Sequence, residues 1–142
     1  MNYVLDTNVL VAAVRSPVGA SAEILRRVLL RQVGALCSVP LFMEYEAVLM
    51  RQEHLAAAGA HADQVINLLD ALAGVVIRVE IQFLWRPQLR DPNDDLVLEL
   101  AVNGQGVGDS VAIVTSNQKD FWPQASKFGI GVMTPRQFFQ GA

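Results

Sequence analysis

The sequence is poor in the residues that form disulfides and zinc sites. It contains one cysteine, Cys37, and two histidines, His54 and His61, in 142 residues. One cysteine cannot form an intramolecular disulfide, and neither histidine has a motif partner for zinc or for a Ser-His-Asp arrangement. We therefore interpret Cys37 as a buried structural thiol in a strand and both histidines as surface or structural residues.

The sequence also lacks long apolar runs and an excess of positive charge. No apolar segment approaches the roughly 20 residues that cross a membrane. The N-terminus has no basic and apolar regions of a signal peptide, so we expect a cytoplasmic protein without membrane attachment. The net charge of −3 argues against a strongly basic nucleic-acid binder but excludes little. Five arginines could contact phosphates, namely Arg26, Arg27, Arg31, Arg86 and Arg90. For the first three of them, a solvated helix face is the alternative.

The chain does contain alternating strand and helix patterns from end to end, and it is 52% hydrophobic, which allows a sizeable core. The predicted strands are 3–5, 35–38, 75–79, 111–114 and 130–133. The predicted helices include 40–52, 60–73 and 93–103, a second helix capped by Ser21, and a last helix through residue 139. This alternation predicts an α/β fold, a three-layer α/β/α sandwich around a central parallel sheet of about five strands. By length, residues 1–142 form a single domain.

A carboxylate follows the first predicted strand directly. Tyr3, Val4 and Leu5 form a short apolar strand, and Asp6-Thr7-Asn8 then supplies N-cap chemistry for the next helix. Ligands of open α/β sheets bind outside the carboxyl ends of the strands, which makes Asp6 a candidate ligand. The residues alone leave open that Asp6 is only an N-cap.

Glu44 is a second candidate, because it lies on the apolar face of a predicted helix. It falls in line with Leu41 and Val48. A carboxylate on such a face is costly unless it is paired or binds a metal. Arg51 is the alternative explanation, as a salt-bridge partner for Glu44.

The helix predicted at 93–103 carries a third candidate. Asp95, Glu99 and Asn103 recur at four-residue spacing and are expected to form a polar, solvated stripe. Asp94 is off that stripe and on the apolar side, in the first turn, where the helix dipole also favours an anion. Asp91, before a proline, is interpreted as a turn or cap residue.

The segment after the fourth predicted strand supplies the last candidates. Thr115 and Asn117 leave the carboxyl end of that strand, beside Asp6 if the two strands are neighbours. Asp120 either caps the following turn or joins the same cluster. The collected groups have oxygen ligands without a His or Cys cluster, which suits Mg²⁺ or Mn²⁺ rather than zinc.

These motifs resemble PIN-domain ribonucleases, in particular the toxin components of type II toxin–antitoxin systems. The resemblance covers nearly the whole chain, and its four motifs occur in the right order. They are Leu5-Asp6-Thr7-Asn8, Glu44 with Val48-Leu49 and Arg51, the segment 90–101, and the segment 113–121.

The resemblance implies a metal-dependent endoribonuclease that hydrolyses RNA phosphodiester bonds. Its implied catalytic Mg²⁺ or Mn²⁺ ligands are Asp6, Glu44, Asp94 and Asp120, with Thr7, Asn8, Thr115 and Asn117 in supporting roles. The implied partner is a small antitoxin that covers the acidic cleft or inserts a basic residue into it. Separately, the high hydrophobic content predicts a homodimer with its interface in the helical first half.

Two alternatives and one departure from the family pattern accompany this interpretation. The chain could be a non-catalytic PIN-like interaction module with a decayed site. A phosphatase-like hydrolase would need a second aspartate where Asn8 stands, and a lysine ahead of a late acid pair. The glycine-rich segment 103–110 is longer than the usual connection and could displace the edge formed by residues 115–120. Asn117 in place of an acid leaves occupancy by a second metal open.

Overall fold

The structure is a computed structural model that describes residues 1–82, 92–107 and 110–140. Within these ranges five strands form one sheet, and all of their pairings are parallel. The strands are β1 (Asn2–Leu5), β2 (Gly34–Cys37), β3 (Ile77–Arg78), β4 (Val111–Val114) and β5 (Gly131–Met133). Their order across the sheet is β3-β2-β1-β4-β5. Helices flank this sheet, which is the predicted three-layer α/β/α fold.

The described ranges also contain the flanking helices and one 3₁₀ turn at Gln105–Val107. The helices are α1 (Thr7–Arg15), α2 (Ala20–Leu29), α3 (Val39–Leu49), α4 (Gln52–Ala58), α5 (Ala62–Ala73), α6 (Pro92–Gly104), α7 (Gln118–Lys127) and α8 (Pro135–Gln140). Among these described residues, no helix combines the length and apolarity needed to cross a membrane.

The pairing of β1 with β4 is the part of the topology that organises the site. Their register places Leu5 opposite Val114. The next residues along the two strands are Asp6 and Thr115, so both leave the sheet side by side. The backbone N–H of Asp6 donates to the Val114 carbonyl oxygen at 2.9 Å, which extends the ladder to the last residue of β4.

The core is centred on β4 and α6. All four residues of β4 are buried, as expected for a central parallel strand covered on both faces. Helix α6 packs against β1, β2 and β4. Its residues Val97, Leu98, Leu100 and Ala101 are completely buried. This helix is therefore an interior element rather than a surface helix with one wet face.

Three predicted boundaries are wrong. The helix predicted at 40–52 ends at Leu49, because Arg51 has an extended backbone and is the N-cap of the separate helix α4, which begins at Gln52. Gly19, not Ser21, is the N-cap of α2, and Ser21 is buried inside it. The strand predicted at 75–79 is only Ile77–Arg78, since it pairs with β2 over two residues at the edge of the sheet.

The scarce residue types behave as predicted where the structure describes them. Cys37 is a free, buried thiol in β2, and burial raises its pKa to about 12. An inert structural role follows, since the thiolate is the reactive form. His54 lies beside the Arg15 guanidinium, with 2.9 Å between Nη2 and Nδ1, and His61 is exposed.

Candidate active site

Asp6 is a buried carboxylate at the junction of β1 and α1, with 8% of its surface exposed. As the N-cap of α1, its Oδ1 accepts a hydrogen bond from the Thr7 backbone N–H at 2.8 Å. Its Oδ2 accepts a bond from the Thr115 hydroxyl at 2.8 Å and one from the Asn8 side-chain amide at 3.1 Å. Asp6 therefore serves as the helix cap and also joins β1 to the end of β4.

Thr115, directly after β4, and Asn8, on α1, hold this junction together. Thr115 is fully buried, and its Oγ1 accepts a bond from the Asn117 backbone N–H at 3.0 Å while donating to Asp6. The Asn8 Oδ1 accepts a bond from the Ser116 backbone N–H at 3.3 Å. These bonds fix the orientation of the Asp6 carboxylate, since donors from two separate segments converge on it.

Glu44 reaches the same junction from α3. Its Oε2 accepts a hydrogen bond from the Thr7 hydroxyl. The neighbouring Tyr45 is buried and donates from its hydroxyl to the Leu5 carbonyl oxygen, so two contacts tie α3 to the end of β1. The alternative partner Arg51 is instead the exposed N-cap residue of α4. Within the described part of the chain, no ion pair joins Arg51 to Glu44.

The electrostatics of Asp6 disfavour its charged form. Burial is the largest influence and raises the pKa of its carboxyl. The bonds from Thr115 and Thr7 lower this pKa in part, whereas the negative charges of Glu44 and Asp120 raise it again. The net pKa lies above its ordinary value. A cation at this place would reverse that balance, because it would stabilise the ionised form.

Asn117 and Asp120 lie at the exposed rim, on the first residues of α7. Asn117 is the N-cap position of this helix, although its side chain makes no capping bond. Asp120 is in the first turn, and the Asn117 carbonyl accepts its backbone N–H at 3.1 Å. Asp120 is therefore not the cap residue. It is exposed, yet it is near enough to Asp6 to influence that carboxyl.

Asp94 lies in the first turn of α6 and is half-buried. Helix α6 packs against β1, β2 and β4 and is the element that precedes β4 along the chain. A helix that precedes a parallel strand in this way begins at the carboxyl edge of the sheet. The fold thus brings Asp94 to the same edge as Asp6, Glu44 and Asp120.

The predicted solvated stripe on α6 is wrong. Asp95 is 3% exposed and Glu99 is 2% exposed, so both acids are buried more deeply than Asp94. Four-residue spacing shows that residues share one face of a helix. It does not show whether that face is exposed to solvent or packed against other elements. The apolar residues on every side of Glu99 were the available signal. Asp95 and Glu99 are buried acids near the site that the sequence interpretation missed.

The donor set fits a hard divalent cation by its chemistry, since Asp6, Glu44, Asp94 and Asp120 offer only carboxylate oxygens. In the described ranges, no group of three or more His, Cys, Asp or Glu side chains is arranged to hold a metal ion. The observation that fits a cation is the buried Asp6, whose pKa is raised by burial and, further, by two neighbouring negative charges.

Several predicted features lie outside the described residues. They are Arg86, Arg90, the turn residue Asp91 and the end of the glycine-rich segment at Gly108 and Asp109. The beginning of that segment is described, and there Gly104 ends α6 before the 3₁₀ turn.

Comparison with protein families gives a match to the PIN domain over residues 2–119. The chain belongs to the PIN-domain family. The matched region contains Asp6, Glu44 and Asp94 and ends one residue before Asp120. Comparison with curated proteins gave no match. PIN domains are typically nucleases that bind nucleic acid and generally use divalent metals.

Proposed function

We propose that this PIN domain is a Mg²⁺- or Mn²⁺-dependent endoribonuclease. The observation that carries the proposal is the buried Asp6 carboxylate at the β1–β4 junction, held by three hydrogen bonds and close to two further acids. A bound divalent ion would neutralise phosphate charge and lower the pKa of an attacking water. Asp6, Glu44, Asp94 and Asp120 would hold this ion.

The surrounding polar residues would position these ligands. Thr115, Asn8 and the Thr7 backbone N–H direct the Asp6 carboxylate, and the Thr7 hydroxyl directs Glu44. Asn117 and Asp120 lie at the exposed rim, where an RNA backbone can approach without unfolding the core. The N-terminal end of α7 adds a positive helix dipole beside the phosphate.

The decisive experiment is cleavage of RNA with Mg²⁺ or Mn²⁺, comparing the wild type with Asp6→Asn and Asp94→Asn. Each change keeps the side-chain size and removes one charged ligand. We expect each to lower the rate by roughly a hundredfold or more, since even residues that only support metal ligands are worth 10- to 100-fold. Asp70→Asn, an exposed acid on α5, is the matched control and should cleave normally.

Metal-dependent cleavage that survives both substitutions would contradict the site assignment. Absence of cleavage in the wild type with either metal would favour the alternative, a non-catalytic PIN-like interaction module with a decayed site. Circular dichroism of each variant checks that the fold is retained, so that loss of activity is not loss of structure.

We further propose that the protein is the toxin of a type II toxin–antitoxin pair. The support is the order of the four motifs shared with such toxins and the group of acids Asp6, Glu44 and Asp120, which a basic residue of a small antitoxin would complement. Expression of the wild type should arrest growth, and Asp6→Asn should not. Co-expression of a small protein encoded next to it should restore growth and inhibit cleavage. Growth unaffected by an active ribonuclease would contradict the toxin role.

A homodimer is also proposed, with α3 and α5 at the interface. Three apolar side chains on these helices are exposed, namely Val39 at 51%, Met43 at 65% and Ile66 at 43%. A patch of this kind favours a protein contact. Sedimentation at micromolar concentration should show a dimer that Met43→Glu dissociates, and a wild type that is only monomeric would contradict it.

We propose that residues 1–142 fold as one cooperative domain in the cytoplasm. The support is the sheet, in which β1 near the start of the chain pairs with β4 and β4 with β5. Urea unfolding should give one transition by fluorescence and by circular dichroism, and two separate transitions would contradict a single domain.

A further inference from the structure

Trp122 is 58% exposed on α7, two residues after Asp120. Among the large exposed apolar side chains of the described part of the chain, it is the one aromatic residue. Tryptophan combines a large apolar surface with a polar N–H, and it is enriched where proteins contact ligands and partners. Its position beside the candidate active site suggests which ligand it contacts.

Trp122 lines a shallow surface pocket together with the positively charged side chain of Lys119. The pocket has a volume of about 390 Å³ and is lined by Gln118, Lys119, Trp122 and Pro123. Lys119 precedes Trp122 by three residues, so both side chains lie on the same face of the helix. Lys119 is exposed and forms no ion pair with the residues the structure describes. The pocket therefore offers a flat aromatic surface next to an available positive charge.

Buried and hydrogen-bonded residues of α7 hold this pocket in place. Phe121 and Ala125 are completely buried in the core. The Gln118 side-chain amide donates to the Val132 carbonyl at 3.1 Å and to the Gln137 side-chain oxygen at 2.7 Å. These contacts anchor the first turn of α7 to β5 and α8, so Trp122 and Lys119 project from a fixed support.

The same turn connects the pocket to the acidic site. Asp120 lies between Lys119 and Trp122 in sequence and is near enough to act electrostatically on Asp6. From helix geometry, the Cα of Trp122 is about 3 Å further along the helix axis than that of Asp120. Side chains two positions apart point to different sides of a helix, and a helix with its side chains is about 10–12 Å across. An RNA strand that crosses the first turn of α7 would therefore contact both Trp122 and the acidic residues.

We propose that Trp122 and Lys119 form a subsite for single-stranded RNA, in which Trp122 stacks on a base and Lys119 contacts a phosphate. The inference rests on the proposed ribonuclease function. Stacking on an aromatic side chain requires a base that is free of its neighbours, as in single strands and loops. Because the net charge of the protein is −3, general attraction to phosphate is weak and stacking carries a larger share of the affinity.

The test measures RNA binding without turnover, in the full chain carrying Asp6→Asn. Fluorescence anisotropy compares a labelled single-stranded oligoribonucleotide with a labelled blunt duplex of the same composition. Adding Trp122→Ala should weaken single-strand binding by about fivefold or more, while Trp122→Phe should retain most of it. Lys119→Gln should lower the salt dependence by about 0.7 in logarithmic slope. Leu30→Ala, which removes a side chain 67% exposed at the end of α2, is the matched control.

A second readout uses the tryptophan itself. The chain has two tryptophans, and Trp85→Phe leaves Trp122 as the only one, so that its emission can be excited selectively over that of the two tyrosines. Single-stranded RNA should quench its emission, and the duplex should not.

The subsite is overturned if Trp122→Ala binds single strands as tightly as its parent or loses single-strand and duplex affinity equally. It is also overturned if the substitution changes the sedimenting mass instead, which would make Trp122 a protein contact. If the wild type does not cleave RNA but binding depends on Trp122, the ribonuclease proposal is contradicted and the subsite proposal is supported. If the wild type cleaves RNA but binding does not depend on Trp122, the ribonuclease proposal is supported and the subsite proposal is contradicted.

Discussion

At the carboxyl end of β1 the chain continues with Asp6, whereas at the end of the adjacent strand β2 it continues with Ser38. Both residues are buried, and both cap the helix that follows. Asp6 receives hydrogen bonds from Thr7, Asn8 and Thr115, while the Ser38 hydroxyl receives one from the Leu41 backbone N–H at 3.3 Å.

The surroundings of the two strand ends differ as much as the residues themselves. Beside Ser38 lies a mainly apolar cavity of about 260 Å³, with Val39, Phe42 and Met43 among its lining residues. Beside Asp6 lie the carboxylates of Glu44 and Asp120. One parallel sheet thus presents an acidic end at β1 and β4 and an apolar end at β2. The side chains that gather around each strand end set its chemistry, and they come from the residue that follows the strand and from neighbouring helices.

Added Mn²⁺ should give the largest difference in stability between variants of the acidic strand end and variants of the apolar strand end. The wild type should gain about 2.7 kcal/mol at a hundredfold excess over its Kd, or roughly 8 °C in melting temperature for a chain of this size. Asp6→Asn should lose this gain, because the buried ligand is gone. Ser38→Ala should melt lower without metal and keep the full gain. Equal gains in the wild type and Asp6→Asn, measured by differential scanning fluorimetry, would contradict a cation site at the acidic end.

Thr115→Val tests the hydrogen bonding that distinguishes the acidic end. It removes the hydroxyl that donates to the Asp6 carboxylate and should cost about 1–3 kcal/mol of unfolding free energy. RNA cleavage should fall about tenfold, as expected for a residue that orients a ligand. Thr115→Ser restores the donor and should recover both properties. If the valine variant matches the wild type in urea unfolding and cleavage, the bond has no positioning role.

Ser38→Ala is the corresponding change at the apolar end. It removes the cap of α3 and should cost about 1 kcal/mol of unfolding free energy. Cleavage should stay at the wild-type level, because the hydroxyl caps its own helix and, in the part of the chain that the structure describes, bonds to no acid of the site. Chemical denaturation and a cleavage assay on the same preparation check both statements. A clear loss of cleavage activity while the variant remains folded would mean that the two strand ends are coupled.

The smallest expected effect is the pH dependence of stability without metal. Burial, and to a lesser extent Glu44 and Asp120, raise the pKa of Asp6 above the ordinary 3.8. The folded state therefore binds this proton more tightly than the unfolded state. The stability of the wild type relative to Asp6→Asn should be greatest below that ordinary value and fall as pH rises through the folded pKa. Urea unfolding of both proteins with a chelator measures the difference, and a difference that grows with pH would refute this sign.

The ends of β1, β4 and β5 were predictable because each is marked by an apolar run that stops at a polar residue. That Asp6 and Thr115 meet depended on the strand order, which alternation alone leaves open. The link from Glu44 to Thr7 also depended on tertiary packing, because the two residues are 37 positions apart. Asp95 and Glu99 were wrongly predicted to be solvated. Four-residue spacing indicates a solvent-exposed stripe only on a helix that has one exposed face.

The sequence by itself determined the α/β class, the parallel sheet and the identity of the acids that follow or precede its elements, because these depend on local periodicity and capping. It also determined the PIN-domain family, through motifs spread over residues 2–119. Only the tertiary structure decided that β1 lies against β4, that no described side chain of α6 is fully exposed, and that one carboxylate collects donors from three positions. Those features depend on long-range pairing and burial, which no local window of residues contains.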